Sequence, residues 1–154
     1  MQMRLSEHFE LHEFTDSNTA DIRQIPNVPD ATAIEHLRIL SEKVLEPVRA
    51  HFKRPVRISS GFRCPALNVA VGGSRTSQHV EGRAADIEVE DVSCVIVFDY
   101  IARNLDFDQV INETHDGHRW VHVSYVSPER NRKMVGVIEV VNGQKTERWQ
   151  GGAA

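Results

Sequence analysis

Two short apolar stretches constrain this chain most, because each carries one ionisable residue. Asp86 stands between Ala85 and Ile87 in the run Ala84 to Val89, and His122 stands between Val121 and Val123 in the run Trp120 to Tyr125. Runs of this composition and length read as strands. Burying a carboxylate in such a strand is costly unless it is paired or bound to a cation. His79 joins them from a loop that follows Gly72-Gly73. Gly82 lets the backbone turn between His79 and Asp86, and Ala84 and Ala85 leave room beside an ion. Two imidazoles and one carboxylate suit zinc, and three protein ligands leave a fourth position for water, which is the catalytic arrangement rather than the structural one. A lone histidine in a strand is more often a hydrogen-bonded structural residue, and a lone aspartate near a strand end is more often a cap. Spacing alone therefore leaves both readings open.

The chain has 154 residues, the length of one domain, and is 40% hydrophobic, enough for a core without staples. Its net charge of −4 argues against a nucleic-acid partner held by bulk positive charge. No apolar run approaches the ~18–20 residues of a membrane span, so no stable membrane insertion is expected. Met1 to His8 lacks the apolar core of a signal peptide, which predicts synthesis in the cytoplasm. Cys64 and Cys94 are not in metal-ligand spacing and read as two free buried thiols rather than a disulfide.

Residues 1–30 read as an irregular arm, anchored by Phe9, Leu11 and Phe14, and residues 31–154 as the globular domain on which it packs. Ile34, Leu37, Leu40, Val44, Leu45, Val48 and Phe52 recur at spacings of three and four, predicting a helix over 31–52 capped by Asp30 or Thr32. Pro47 lies inside that pattern and predicts a kink or break near Lys43. A strand over 55–60, a helical turn or two over 65–70, a strand over 84–89 and a helix over 92–104 follow. Strands over 107–113 and 120–125 come next, joined by a polar loop. The chain then forms a hairpin over 134–149, whose Asn142-Gly143 supplies the two positive-φ positions of a type I′ turn. This order predicts a small single α+β domain, with an antiparallel sheet carrying the site and helices packed on one side.

The stretch Ser77 to Asp86 has the form S-x-H-x-x-G-x-A-x-D. It follows Ser60-Gly61-Phe62-Arg63 and Asn68 to Gly73, and precedes Trp120-Val121-His122-Val123. In this order, over about residues 37–125, these motifs resemble the zinc D-alanyl-D-alanine carboxypeptidase family, including its phage-type peptidoglycan peptidases. The resemblance implies the fold shared with the hedgehog signalling domain, one zinc ion per chain, and His79, Asp86 and His122 as its ligands. It implies that Arg63 holds the substrate's carboxylate or the developing oxyanion, and that Ser77 lines the site. Gly61, at the end of a strand, is where a chain can aim such an arginine fork into a cleft. The substrate so implied is a peptidoglycan stem or cross-link peptide cut next to a D-alanine, by endopeptidase or carboxypeptidase action. The protein is expected as a monomer that reaches the cell wall with help, in the manner of an endolysin.

The family carries an acidic residue three positions before the last histidine as general base. Here that position is Arg119, which cannot accept a proton. Glu113 and Asp116 are the nearest upstream acids. If the loop covers 114–119, Glu113 faces Trp120 and Ile111 faces His122, so that Ile111, Glu113, Trp120, His122 and Ser124 share one face. Glu113 is then a diagonal neighbour of His122, ~7–8 Å away between backbones, whereas a one-residue slip would turn it to the other face. Glu113 is the expected base and Asp116 the reserve. Trp120 is a candidate for stacking on substrate, with packing as its alternative, and His115 and His118 read as solvated loop residues. Two further readings stand beside the enzyme: a zinc-holding module that binds wall peptides without cutting them, and a phage structural protein.

Overall fold

A computed structural model describes residues 2–151 of the chain. The helical layer begins as the apolar spacing predicts. The Asp30 side chain accepts from the Ala33 N–H at 2.8 Å and caps α3 (Ala31–Leu40), which is preceded by α1 (Leu11–Thr15) and α2 (Asn18–Arg23). The break expected near Lys43 takes the form of a π-helical turn, Ser41–Leu45, leading into α4 (Glu46–Phe52) with Pro47 in its first turn. A proline is tolerated there because its missing N–H would lie among the unpaired donors of a helix start, and the wider turn before it accommodates the ring. Leu37, Leu40, Val44, Leu45 and Val48 are completely buried and form one core with Ile87, Val97, Ile101, Val121 and Val123.

Residues 1–30 are more regular than expected. Glu10 and Glu13 close a reciprocal capping box on α1, and the Ser17 hydroxyl accepts from the Ala20 N–H at the start of α2. Helices of five and six residues show too little periodicity to be read from sequence, and their caps define them. Phe9 and Phe14 enter the core, and Leu11, partly buried, packs against it.

The six strands are β1 (Val56–Ser60), β2 (Ala84–Val89), β3 (Gln109–His115), β4 (His118–Ser124), β5 (Met134–Val141) and β6 (Gln144–Gly151), in the order β1-β2-β4-β3-β5-β6. Two further helices, α5 (Pro65–Ala70) and α6 (Cys94–Asn104), lie in the connections. The sheet is antiparallel except between β3 and β5. β4 ends beside Gln109, and β5 starts beside the same residue, so β5 runs parallel to β3. The β3–β4 connection is shorter than expected: both strands extend to an Asp116-Gly117 turn with φ of 47° and 86°. Asp-Gly is a type I′ signal in its own right. The register is the expected one, with Ile111 opposite His122 and Glu113 opposite Trp120. Cys64 and Cys94 are free and half-buried. Among the described residues no helix is long and apolar enough to cross a membrane.

Candidate metal centre

β2 and β4 are hydrogen-bonded neighbours, with Asp86 directly opposite His122. Strand alternation turns Ala85, Ile87, Val121 and Val123 to the helices, so Asp86 and His122 turn to the open face of the sheet. His79 reaches them from the loop before β2. Its backbone carbonyl accepts from the Arg63 N–H at 3.1 Å, its own N–H donates to Ser77 Oγ at 3.2 Å, and its ring centroid lies 5.1 Å from that of His122. Gly82 makes this approach feasible: it has φ of 74°, and a Cβ there would sit 2.6 Å from the Ala33 carbonyl oxygen.

One nitrogen from each imidazole and one Asp86 oxygen lie within 4.8 Å of one another. His122 Nδ1 is 3.0 Å and His79 Nε2 is 3.5 Å from Asp86 Oδ1, and all three residues are buried. His79 Nδ1 donates to the Gly61 carbonyl at 2.6 Å. That bond fixes the tautomer, so Nε2 presents a lone pair towards the carboxylate. A lone pair facing a carboxylate oxygen is satisfied by a cation between them. Two nitrogens and one oxygen are donors that zinc accepts, and the three residues could hold one such ion.

The surrounding charges act differently on the three candidate ligands. Burial alone would raise the Asp86 carboxyl, but the two imidazoles beside it hold it well below the usual carboxylate range. Burial lowers His79, with only partial opposition from Asp86, keeping the neutral form that ligates metals. Burial would lower His122 too, but its hydrogen bond to Asp86 and the charges of Asp86 and Glu113 raise it. Arg63 is lowered by burial, opposed by the charges of Asp86 and Glu113, which puts the three groups in one electrostatic neighbourhood. Its Nη1 donates to Asn68 Oδ1 at 3.0 Å, and the Asn68 amide donates to the Ser74 carbonyl at 2.8 Å. Arg63 walls a cleft of about 400 Å³ with Asp16, Ser17, Ser59 and Ser60. Ser77 and His122 line a second, of about 390 Å³, with Gln109 and Arg132.

The model of the family described as Peptidase M15 matches residues 7–124. The chain belongs to the peptidase M15 family. The zinc D-Ala-D-Ala carboxypeptidase of Streptomyces albus G is 29% identical over 92 residues, which cover 59% of this chain and 35% of that protein. This M15 chain thus spans about a third of that relative's length. The match runs from before α1 to the end of β4, so β5 and β6 lie beyond it.

The remaining expected residues separate clearly in this M15 domain. Glu113 is half-buried on the same face as His122. Burial raises its pKa, the charge of Asp86 adds to this, and His122, Lys145 and Arg63 oppose. Asp116 sits in the exposed turn, where its Oδ1 accepts from the Asn142 N–H at 2.9 Å, tied to the β5–β6 turn rather than to the metal ligands. Arg119 is exposed and alternates to the opposite face, beside Asn112 and Thr114. Trp120 is half-buried on the open face, its ring 5.5 Å from His118 and its Nε1 buried without a partner. It lines neither the cleft that Arg63 walls nor the one that His122 lines. His115 and His118 are exposed. Sequence reasoning gave no role to Asn68, which holds Arg63, or to Gly73, against which both side chains lie. Both stand in the Asn68-to-Gly73 stretch, whose place among the motifs of the family resemblance was the available signal.

Proposed function

We propose that the protein is a zinc peptidase that hydrolyses a peptide bond next to a D-alanine in peptidoglycan stem or cross-link peptides. The observation that carries the reading is the pair of imidazole nitrogens facing one oxygen of Asp86 at 3.0 and 3.5 Å, in a chain of a peptidase family. The D-alanine preference follows the name of the Streptomyces albus G relative, and the peptidoglycan setting follows the resemblance of the motifs.

Bound zinc supplies Lewis acidity, lowering the pKa of water and polarising a carbonyl. Glu113 takes the proton of the attacking water and returns it to the leaving amine. A carboxyl raised by burial is suited to this shuttle, because its proton affinity lies closer to the working pH. Arg63, braced by Asn68, takes the oxyanion or the substrate's terminal carboxylate. Ser77, which lines the cleft with His122, adds a substrate contact, and Trp120, outside that cleft but on the same face, is the candidate for stacking on a more distant part of the substrate. In this reading the chain acts as a monomer at the cell wall, with residues 1–30 as an arm on the 31–154 catalytic domain. Arg119 in place of the family's acid favours the non-catalytic reading, and Glu113 on the face of His122 supports the catalytic one.

The test is mass spectrometry of defined muropeptides incubated with zinc-loaded protein, with and without a chelator. Chelator-sensitive loss of D-alanine or opening of a cross-link is expected. Muropeptides left intact by the zinc-loaded protein would overturn the reading.

A further inference from the structure

We infer that Arg132 is a second recognition point on the cleft beside the metal ligands, reading a carboxylate on a substrate residue that flanks the scissile bond. This rests on the peptidase reading above.

Arg132 comes from the connection between β4 and β5, beyond the matched residues 7–124, and no sequence motif singles it out. Its partner is Asp108, 1% exposed and just ahead of β3. Asp108 Oδ1 accepts from the Arg132 backbone N–H at 3.0 Å and from Nε at 2.9 Å, while Oδ2 accepts from Nη2 at 2.7 Å. Gln78 Nε2 donates to the same Oδ2 at 2.9 Å. The backbone of Asp108 is pinned as well, donating to the Ser124 carbonyl at 2.8 Å and accepting from the Met134 N–H at 2.9 Å. A buried carboxylate gripping a guanidinium through two parallel bonds fixes both its position and its plane.

That grip leaves donors over. Nη1 finds no acceptor among the described residues, and the Arg132 side chain is 45% exposed. It lines the cleft of about 390 Å³ together with Ser77, Gln78, Gln109 and His122. No acidic side chain lines this cleft, while hydroxyls of Ser74, Thr76 and Ser77 and the Gln109 amide do. A clip serving only to fasten the connection would have no need to present its free edge beside a metal ligand. Gln78 ties the arrangement to the centre, because it precedes His79 directly and donates to Asp108. Arg63 stands at a separate cleft, so the two arginines address different groups of one substrate. The ligand that fits a fixed planar fork among neutral donors is a carboxylate.

The experiment uses peptides ending in D-alanyl-D-alanine that carry a glutamate at each of the three residues before the cut, with its side chain free or amidated. The unmodified zinc-loaded protein should prefer the free acid at one of these positions by about 10- to 100-fold in kcat/KM, expressed in KM. Arg132→Gln should bring the ratio to about one. Arg132→Lys keeps a cation for Asp108 but commits its compact ammonium there. It should fold normally and lose the same preference, which covers the case where Arg132→Gln unfolds. Binding of the same peptides to zinc-loaded Glu113→Gln protein, followed by calorimetry, reads selectivity without turnover. If the unmodified protein cuts neither peptide, the peptidase reading fails, and acid-selective binding that Arg132→Lys abolishes would still uphold the inference. Equal treatment of acid and amide at every position, or a preference that survives both Arg132 variants, overturns it.

Discussion

Gly73→Ala should damage the arginine side of the site without touching a metal ligand. Gly73 is outside the left-handed backbone region, so the effect of a methyl group there is steric alone. An added Cβ would lie 2.0 Å from Asn68 Oδ1 and 2.5 Å from Arg63 Nη1, where real Cβ contacts essentially never fall below 3.0 Å. The amide oxygen must therefore retreat by at least 1.0 Å (3.0 less 2.0). Asn68 is 5% exposed and has little room to do so. The retreat breaks the 3.0 Å bond from Arg63 and strains the 2.8 Å bond to Ser74. Leaving buried polar groups unsatisfied costs about 1–3 kcal/mol each, so a loss of about 2–4 kcal/mol is expected, or roughly 5–12 °C in Tm for a domain of this size. If Arg63 stabilises the oxyanion, its displacement lowers kcat by about 10²–10³. Thermal unfolding and muropeptide turnover, the latter measured well below the new Tm, separate the two effects. Wild-type turnover alongside a lowered Tm would refute the catalytic importance of the clamp, and an unchanged Tm would refute the steric argument itself.

Glu113→Gln should lower kcat by about 10²–10⁴ while leaving zinc content unchanged, as metal analysis beside a turnover assay would report. Asp116→Asn, which keeps a residue at ease with positive φ, should leave turnover within about twofold, because Asp116 serves the turn and not the cleft. For Asp108, burial alone would raise the carboxyl, but its hydrogen bonds from Arg132 and Gln78 lower it. Its stabilising contribution is thus present above about pH 4, the unfolded value, and is lost as the pH falls through the lower folded value. Melting temperatures measured from about pH 5 down to about pH 2 should fall less steeply for Asp108→Asn than for the unmodified protein.

The parts of this fold visible in the sequence are those fixed by local rules. Alternation around Asp86 and His122, the Ile111–His122 register and the Asn142-Gly143 turn each follow from neighbours within a few residues. The break caused by Pro47 was visible as a position, though not as a π-helical turn. The Asp116-Gly117 turn carried its own signal, which the surrounding polar residues obscured. The parallel β3–β5 pairing had no local signature, because it depends on where β4 ends relative to Gln109. The Asp108–Arg132 and Asp108–Gln78 contacts span 24 and 30 residues, beyond the reach of any spacing rule. In the candidate site, ionisable residues in apolar strands stood out from their background, whereas Asn68 and Arg132 are unremarkable until the chain is folded around them.

The account turns on one ion held jointly by His79, Asp86 and His122. Zinc titration of chelator-stripped protein by calorimetry, repeated on His79→Ala and His122→Ala, tests it most directly. One zinc per unmodified chain is predicted, with either substitution abolishing that stoichiometric binding. A stripped protein that takes up no zinc, or two variants that bind it as tightly as the unmodified chain, would contradict the account.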